Sequence, residues 1–295
     1  MKSRILKRLA GNSRFAGVAM LAQVTLIVSL ALVLFAASAS AEPFVYVVTL
    51  SKQFGTVDLA SGAFHPIGGP TTESLSNLVW WHGSLLSLTT SDPIPGYLVK
   101  INPATGETKV IDATGLGFNA FDLAEVRGRL YLTDFSNNIY SVDPATGVAS
   151  PIGATGMPPD PTIPFTFNDD GTLNLCDESF YGVGGMLYAT FDSFRVDPNS
   201  LEITPAVNPA LYRIDPSTGV ATVIGPTALQ LGASVEVDGK FYAFRVVITD
   251  FTEFGLEAYS QLVTLDLATG KTVFVRDIDA APGPIFGAAP VRPRR

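Results

Sequence analysis

Apolar and polar positions recur in the same order ahead of five short turns in the sequence. The turns share an Asp or Asn at the first position and a glycine at the fifth, and they begin at Asp58, Asn102, Asp143, Asp215 and Asp266. The residue before each turn is apolar, the one before that is polar, and the residue four positions before the turn is apolar again. The residue three positions before the turn is also mostly apolar. Both faces of this segment are therefore largely apolar, which is typical of a strand packed on both sides. The pattern predicts one doubly buried strand per unit.

The turns themselves have the chemistry of tight hairpins. An Asx side chain accepts a hydrogen bond from the backbone two residues on, and the closing glycine supplies a left-handed residue. They begin 44, 41, 72 and 51 residues apart, and periods of about 40–50 residues are typical of propeller blades. Because the Asx residue recurs in every unit, we interpret it as part of the scaffold and not as a metal ligand.

A different strand follows each turn. The fourth residue after the glycine is Pro66, Val110, Pro151, Val223 or Phe274. Proline has no ladder donor and is excluded from central strands, so this column predicts an edge strand. Proline there also discourages sheets from pairing edge to edge.

A second hairpin lies between successive units and has a residue followed by glycine at its centre. It occupies residues 78–88, 123–133, 180–190 and 234–244. The dipeptide between strand-forming residues is a hairpin signal. Each unit is therefore predicted to be four antiparallel strands, with this hairpin as the inner pair.

The two ends of the repeat region complement each other. The segment Phe44–Leu50 resembles a second inner strand without its partner, and 284–290 resembles a first inner strand without its partner. Pairing them closes the ring and removes both exposed sheet edges. The sequence thus predicts an all-β fold, a five-bladed β-propeller of four-stranded antiparallel blades.

The segment Leu211–Gly225 reads LYRIDPSTGVATVIG. It resembles the repeat of secreted bacterial LYxIDPxTG propeller proteins, a group that is mostly uncharacterised. The resemblance covers nearly all of the chain after the N-terminal segment and implies the propeller fold, but it implies no activity. The first and last units have Asp-Leu where the motif has Asp-Pro.

The N-terminal segment has the pattern of an export signal. Basic residues without any acid precede an apolar run at about 16–37, and Ala39-Ser40-Ala41 follows it. A basic start, an apolar middle and an A-x-A end define a secretory signal peptide. We predict a signal peptide over 1–41, a propeller domain over 42–290 and a basic tail over 291–295. The run is long for a signal peptide, so an uncleaved membrane anchor is the alternative.

Charge and cysteine content narrow the choice of partner. The chain has a formal net charge of −8, and residues 1–41 carry five basic and no acidic residues, so the exported form is more acidic still. This argues against nucleic acid as a partner. Cys176 is the only cysteine, which leaves a buried small hydrophobe or a reactive thiol. We expect a secreted monomer, extracellular or periplasmic, with an unknown extracellular ligand, either a carbohydrate or a protein.

The largest departure from the repeat lies in the 72-residue interval. We predict that the functional face carries the insertion between Gly153 and Ser179 and a loop over Asp192–Pro209, since ligand sites are usually built on long loops. Its phenylalanines should order the insertion by packing; they are Phe165, Phe167, Phe180, Phe191 and Phe194. The insertion is then expected to cover part of the channel mouth.

Polar residues near the starts of the innermost strands are candidates for a site at that mouth. The ligand-binding candidates are Asn77, Trp80, Asp122, Asp177 and Glu178, and the last three are also candidate catalytic acids. Convergent carboxylates can perform acid–base chemistry on a glycoside. The alternative is that these groups cap strand ends or bind channel water.

Asp169 and Asp170 are candidate calcium ligands, together with Asn168 and Asn174, because calcium binds six to eight oxygens. The alternative is that Asp170-Gly171 forms a plain hairpin turn. No cofactor-binding motif is present, and the two histidines, His65 and His82, lack the spacing of a zinc site.

Two functions remain open. The first is a non-catalytic extracellular binding or interaction propeller. The second is a carbohydrate-active hydrolase or lyase that uses carboxylates at the channel mouth. The second requires the side chains of Asp122, Asp177 and Glu178 to share one pocket, within about 10 Å of one another.

Overall fold

The computed structural model describes residues 43–90, 95–158, 166–252 and 255–291. The predicted signal peptide and residues 292–295 of the tail lie outside these ranges. None of the described residues belongs to a helix long and apolar enough to span a membrane.

The described residues form five four-stranded antiparallel sheets. The first blade contains β1 (Phe44–Thr49), β2 (Phe54–Asp58), β3 (Phe64–Pro66) and β20 (Ile285–Pro290). The second contains β4 (Val79–Trp81), β5 (Ser84–Leu88), β6 (Tyr97–Ile101) and β7 (Thr108–Ala113). The third contains β8 (Ala120–Val126), β9 (Arg129–Asp134), β10 (Asn138–Val142) and β11 (Ala149–Ala154), preceded by a short 3-10 helix at Gly117–Asn119.

The last two blades have longer strands. The fourth contains β12 (Leu173–Val183), β13 (Met186–Val196), β14 (Ile203–Ile214) and β15 (Ala221–Pro226). The fifth contains β16 (Leu231–Val237), β17 (Lys240–Thr252), β18 (Gly255–Leu265) and β19 (Thr272–Asp277).

The blades form a closed ring, and the prediction of a five-bladed propeller is confirmed. The innermost strands β20, β4, β8, β12 and β16 contact one another in succession around the ring. Closure comes from the antiparallel pairing of β1 with β20, in which Val45 lies opposite Pro290 and Val47 opposite Ala288. This is the predicted pairing of strands from the two ends of the chain.

The hydrophobic core is divided among the interfaces between neighbouring blades. Each of the five interfaces holds its own cluster of buried apolar side chains. The apolar column four positions before each turn is fully buried in these interfaces; its members are Phe54, Leu98, Ile139, Leu211 and Leu262. The third strand of each blade is therefore packed on both faces, as its apolar pattern predicts.

The repeated turns close the hairpin between the third and fourth strands. In each one the Asx side chain accepts a hydrogen bond from the backbone N–H two residues on, at 2.8–3.0 Å. The fifth-position glycine has a positive φ in every turn. At Gly62 an added Cβ would also lie 2.5 Å from the Asp277 carbonyl oxygen of the neighbouring blade. The turn sequence thus serves both hairpin closure and blade packing.

The outer strands match the edge-strand prediction. Pro66 and Pro151 lie on β3 and β11, and both are exposed. Val223 on β15 and Phe274 on β19 are also exposed.

Two long hairpins correct the prediction of a loop over Asp192–Pro209. This segment is the end of β13, a turn at Asp197–Glu202, and the start of β14. Strands β17 and β18 form a second long hairpin, which the 51-residue interval alone did not predict. Apolar residues of the two hairpins pack together, with Phe194 and Leu175 against Ile248 and Phe251. That packing stabilises strands where the repeat spacing suggested only a loop.

The phenylalanines of the insertion divide into two groups. Phe180, Phe191 and Phe194 are buried, whereas Phe167 is 68% exposed and does not order the insertion by packing. Phe165 lies outside the described residues, as do residues 159–164.

Candidate functional site

Equivalent positions of the innermost strands form layers around the central channel. Counting back seven residues from the glycine of each inner hairpin, and using the β1–β20 register for the first blade, gives one layer. It consists of Ser76, Phe121, Glu178, Gly232 and Phe286. Counting back six residues gives the next layer, which consists of Asn77, Asp122, Ser179, Ala233 and Gly287.

Asn77 and Asp122 join strands across the second layer. The Asn77 side-chain amide donates to the backbone oxygens of Leu123 at 3.1 Å and Phe180 at 2.6 Å. The Asp122 carboxyl accepts from the N–H of Leu123 at 2.7 Å and of Phe180 at 2.9 Å. Since these bonds link the second, third and fourth blades, this layer is the hydrogen-bonded waist of the channel.

A cavity of about 300 Å³ lies on the side of the waist that carries the long hairpins. Its wall is mostly apolar, with Phe121 and Phe286 from the first layer and Phe194, Ile248 and Leu256 from the hairpins. Its polar residues include Ser76, Asp122, Asp177, Glu178 and Gln230. None of the described residues that line it is Lys, Arg or His.

Asp177 faces the fifth blade and forms one half of an acid pair. It lies directly opposite Asp192 in the β12–β13 ladder, and the Asp192 carboxyl accepts a 2.7 Å hydrogen bond from the N–H of Gln230. Burial raises the pKa of Asp177 to about 7. Burial, and then the proximity of Asp177, raise the pKa of Asp192 well above its usual value. The pair therefore loses its protons at a higher pH than an exposed carboxyl does.

Glu178 points the other way, because side chains alternate along a strand. Its carboxyl faces Asp122, Thr133 and Asp134 of the third blade. Only 5% of the residue is exposed. Burial, followed by the charge of Asp122, raises the pKa of Glu178 well above its usual value, although Thr133 acts in the opposite direction. Neither carboxyl oxygen makes a hydrogen bond of normal geometry within the protein.

Asp122 differs from Glu178 because its oxygens already have backbone partners. Burial raises the pKa of Asp122 well above its usual value, and the N–H groups of Phe180 and Leu123 partly offset that shift. The residue borders the cavity but is engaged in the waist.

The channel end on the other side of the waist is a separate cavity of about 200 Å³. It is lined by Trp80, Glu125, Tyr181 and Glu236, among others. The indole N–H of Trp80 donates to the Pro290 carbonyl oxygen at 2.7 Å, which ties the second blade to the first.

The five candidate ligand-binding residues therefore fall in three places. Asp122, Asp177 and Glu178 share the 300 Å³ cavity. Asn77 belongs to the waist and lines the opposite cavity, and Trp80 lies at the opposite end. The structure does not bring all five residues into a single site. Trp80 does not line the cavity that the three acids share.

The candidate calcium segment forms a hydrogen-bonded hairpin. Asp170 accepts from the N–H of Thr172 at 3.0 Å and from its hydroxyl at 2.6 Å. Asn168 and Asn174 pair through their amides at 2.9 and 3.1 Å. Among the described residues, no group of three or more His, Cys, Asp or Glu side chains has the geometry to hold a metal. The geometry is that of the plain hairpin turn, and calcium binding at Asp169 and Asp170 stays a prediction.

Sequence reasoning missed several residues of the cavity, although the repeat contained the signal for some. Phe121 occupies the same layer as Glu178 and could have been found by counting from the hairpin glycine, whereas Phe286 is placed in that layer by the β1–β20 register. Asp192 lies as far after the Gly184-Gly185 turn as Asp177 lies before it, which is the relation of cross-strand partners. Cys176 is buried and borders the same cavity.

Comparisons with known proteins do not identify a family for this chain. No protein-family model matches the chain, and no curated protein sequence matches it significantly. The resemblance to the LYxIDPxTG propellers therefore stays a prediction.

Solved structures that resemble the chain do so at low identity. TolB from Acinetobacter baumannii aligns with a TM-score of 0.44 and 11% identity, over 85% of this chain and 67% of that one. Myxococcus xanthus glutaminyl cyclase gives 0.37 and 12%, over 76% and 73%. An exo-1,5-alpha-L-arabinanase from a bovine ruminal metagenomic library gives 0.41 and 12%, over 79% and 92%. At these values the likeness carries no argument about function.

Proposed function

We propose that this chain is an exported, non-catalytic binding propeller that holds a small molecule in the 300 Å³ cavity at the channel mouth. The observation that carries the proposal is Glu178, a residue that lines the cavity and whose buried carboxyl makes no hydrogen bond of normal geometry within the protein, although the Thr133 hydroxyl lies near it. A buried polar group without a partner costs stability, so a ligand that supplies one would recover that cost.

The shape of the cavity supports a small ligand. Small-molecule sites are concave and mostly apolar, have a few convergent polar groups, and occupy about 300 Å³ or more. The wall contributed by Phe121, Phe194 and Phe286 supplies the apolar part, and Ser76, Glu178 and Gln230 supply the polar groups. The repeat does not require Ser76 or Glu178, because the equivalent positions in the other blades are Phe121, Gly232 and Phe286.

A cavity-filling variant tests the proposal. Ser76 occupies the layer in which two other blades have phenylalanine, and its hydroxyl has no hydrogen-bond partner, so Ser76→Phe fills the cavity without breaking a bond. Ser150→Phe is the matched control, because Ser150 is exposed on the outer strand β11. A fragment library is screened by ligand-observed NMR against the wild type and both variants.

We expect fragments that bind the wild type and Ser150→Phe, and that lose binding in Ser76→Phe while its circular dichroism and melting temperature stay close to those of the wild type. Fragments that bind all three proteins equally would show that the ligand site lies elsewhere.

A second candidate function is a carbohydrate-active hydrolase or lyase. Asp177 favours it, because a carboxyl with a pKa of about 7 is suited to proton transfer near neutral pH. The test is a screen of chromogenic glycosides, lactones and acidic polysaccharides with the wild type and Asp177→Asn. Turnover that disappears in the variant would replace the binding proposal, whereas turnover that persists in it would be assigned to another site or to a contaminant.

Export is the remaining part of the proposal. Its support is the basic, apolar and A-x-A pattern of residues 1–41. Intact-mass analysis of the protein from the culture medium or periplasm should give a chain that begins at Glu42. A membrane-bound species that retains residues 1–41 would indicate an anchor.

A further inference from the structure

We propose that the ligand of the channel-mouth cavity is a small organic ammonium ion, an amine with a compact apolar body, whose cationic end is bound by Glu178. The inference rests on the proposed function, since it names the ligand class of the same cavity. It follows from three properties of the described lining: its charge, its unpaired acceptors and its apolar wall.

The first property is charge of one sign. The acidic side chains on the cavity are Asp122, Asp177 and Glu178, and the described lining residues include no basic group. Any anionic ligand would therefore enter a buried site without a counter-charge, which is strongly unfavourable. A cation would meet a compensating charge there.

The second property is the distribution of free acceptors. Asp122 is already engaged by two backbone N–H groups, whereas neither oxygen of Glu178 makes a hydrogen bond of normal geometry. An alkylammonium group has three N–H donors and no acceptor, as lysine does. Glu178 is thus positioned to accept the charge-assisted hydrogen bonds, which are roughly twice as strong as neutral ones.

The third property is the surroundings of Glu178. Phe121 and Phe286 occupy the same layer of the channel, and both line the cavity. Aromatic faces attract cations within about 6 Å of the ring centroid and also bury hydrocarbon. Beyond this layer the long hairpins add Phe194, Ile248 and Leu256. A ligand whose charged head lies beside Glu178 and whose apolar body lies beneath the hairpins would contact both parts of the wall.

Other ligand classes fit the lining less well. A bare metal ion requires several carboxylates around one point, and the described residues contain no such group. A sugar requires hydrogen-bond partners for many hydroxyls, and this wall is mostly apolar. These two classes are outcomes that the experiment below can distinguish.

Binding of an ammonium ion should also depend on pH in a defined direction. Glu178 is faced by Asp122, Thr133 and Asp134, and Asp177 is faced by Asp192 and Gln230. Burial raises the pKa of Glu178 and Asp177, the latter to about 7, so protons compete with the cation for these carboxyls as pH falls. Affinity should therefore rise with pH, by up to about tenfold per pH unit for each proton released.

Isothermal titration calorimetry with three probes of similar shape tests the inference. The probes are 2-phenylethylamine, 2-phenylethanol and phenylacetate, which present a cation, a neutral hydroxyl and an anion on the same apolar body. They are titrated into the wild type, Glu178→Gln and Glu236→Gln in phosphate buffer between about pH 6 and pH 8, where the amine stays protonated. Glu236→Gln is the matched control, because Glu236 lines the opposite channel end.

We expect the amine to bind the wild type at least about tenfold more tightly than the alcohol, a difference of about 1.4 kcal/mol, and the anion to bind most weakly. Glu178→Gln should remove most of this preference and most of the pH dependence, and Glu236→Gln should change neither. If Glu178→Gln fails to fold, Asp177→Asn is measured for the same loss of pH dependence.

An alcohol that binds as tightly as the amine, or a preference that survives in Glu178→Gln, would overturn the ligand class. The proposed function would still stand if those probes lose binding in Ser76→Phe. Failure of all three probes to bind the wild type would also overturn the ligand class, and the fragment screen with Ser76→Phe would then decide whether the cavity binds anything. Calcium chloride, in a buffer without phosphate, and glucose are titrated in parallel, and tighter binding of either than of the amine would assign the cavity to that class.

Discussion

Acidic residues occur in two regions of this propeller, the repeated turns at its rim and the channel mouth at its centre. At the rim, Asp143 and Asp215 are exposed and accept hydrogen bonds from nearby backbone and side-chain groups, which lower their pKa values. At the mouth, Asp177 and Glu178 are buried, and burial raises their pKa values. The turn acids recur in the blades and satisfy local hydrogen bonds, whereas the mouth acids occur once and are unfavourably placed for stability alone. A residue that departs from the repeat at an energetic cost is thus a better candidate for function than one that the repeat conserves in every blade.

Phenylalanine truncation should give the largest difference between the two regions. Phe194 at the mouth is 1% exposed, and Phe274 at the rim is 56% exposed. Phe194→Ala should lower the free energy of unfolding by about 3–5 kcal/mol, as buried Phe→Ala changes do, and Phe274→Ala by less than about 1 kcal/mol. Urea denaturation measures both values. Similar losses would show that the long hairpins add little to the stability of the fold.

Truncation of one aspartate in each region should give the next largest difference. Asp122→Ala leaves the buried N–H groups of Leu123 and Phe180 without acceptors, at about 1–3 kcal/mol each. Asp143→Ala removes an acceptor of the Ala145 N–H and of the Thr146 side chain in an exposed turn, where water replaces the acceptor. The melting temperature should therefore fall clearly more for Asp122→Ala. The reverse order would mean that the turns, and not the waist, hold the ring together.

The dependence of stability on pH should have opposite signs in the two regions. A carboxyl with a raised pKa stabilises the fold at low pH and loses that contribution as pH rises through its folded pKa, about 7 for Asp177. Stability of the wild type should fall between about pH 4.5 and pH 8, by at most about 1.4 kcal/mol per pH unit for each group. The double variant Asp177→Asn with Glu178→Gln should have a flatter profile over this range.

The turn acids provide the control for this profile. Their lowered pKa values stabilise the fold above their unfolded pKa near 4 and lose that contribution as pH falls. Asp143→Asn with Asp215→Asn should therefore alter the profile only below about pH 4. A mouth variant whose profile parallels that of the wild type above this pH would show that Asp177 and Glu178 do not titrate as the buried geometry implies.

The fold was predictable because the turn chemistry is local and repeats. A short segment such as Asp143–Gly147 specifies a hairpin by itself, and the apolar residues before it identify the buried strand. The long hairpin of β17 and β18 was not predicted, because the 51-residue repeat interval does not show whether Val246–Phe251 extends a strand or forms a loop. Its formation depends on packing against Leu175 and Phe194 of the fourth blade, which is a tertiary property.

The candidate site was predictable only in part. Alignment of the inner hairpins identified Asp122, Asp177 and Glu178, which share one cavity. Trp80 was assigned to the same site, but it lies three residues beyond Asn77 along its strand, about 10 Å at the usual rise, and therefore belongs to the other channel end. The direction of each acid towards a particular blade depends on the alternation of the strand and on the neighbouring blades, and no single segment of sequence specifies it.

The pairing of β1 with β20 also has a consequence for the timing of folding. These strands come from opposite ends of the propeller, so the first blade is incomplete until the last strand has been synthesised. Contacts between distant parts of a chain require loop closure, which slows folding. During that delay the nascent chain has an unpaired β1 edge, which is a template for aggregation. Deletion of the six residues Ile285–Pro290 would leave the β1 edge unpaired permanently. Chaperone dependence and inclusion-body formation should therefore increase far more after this deletion than after one of equal length in an outer strand.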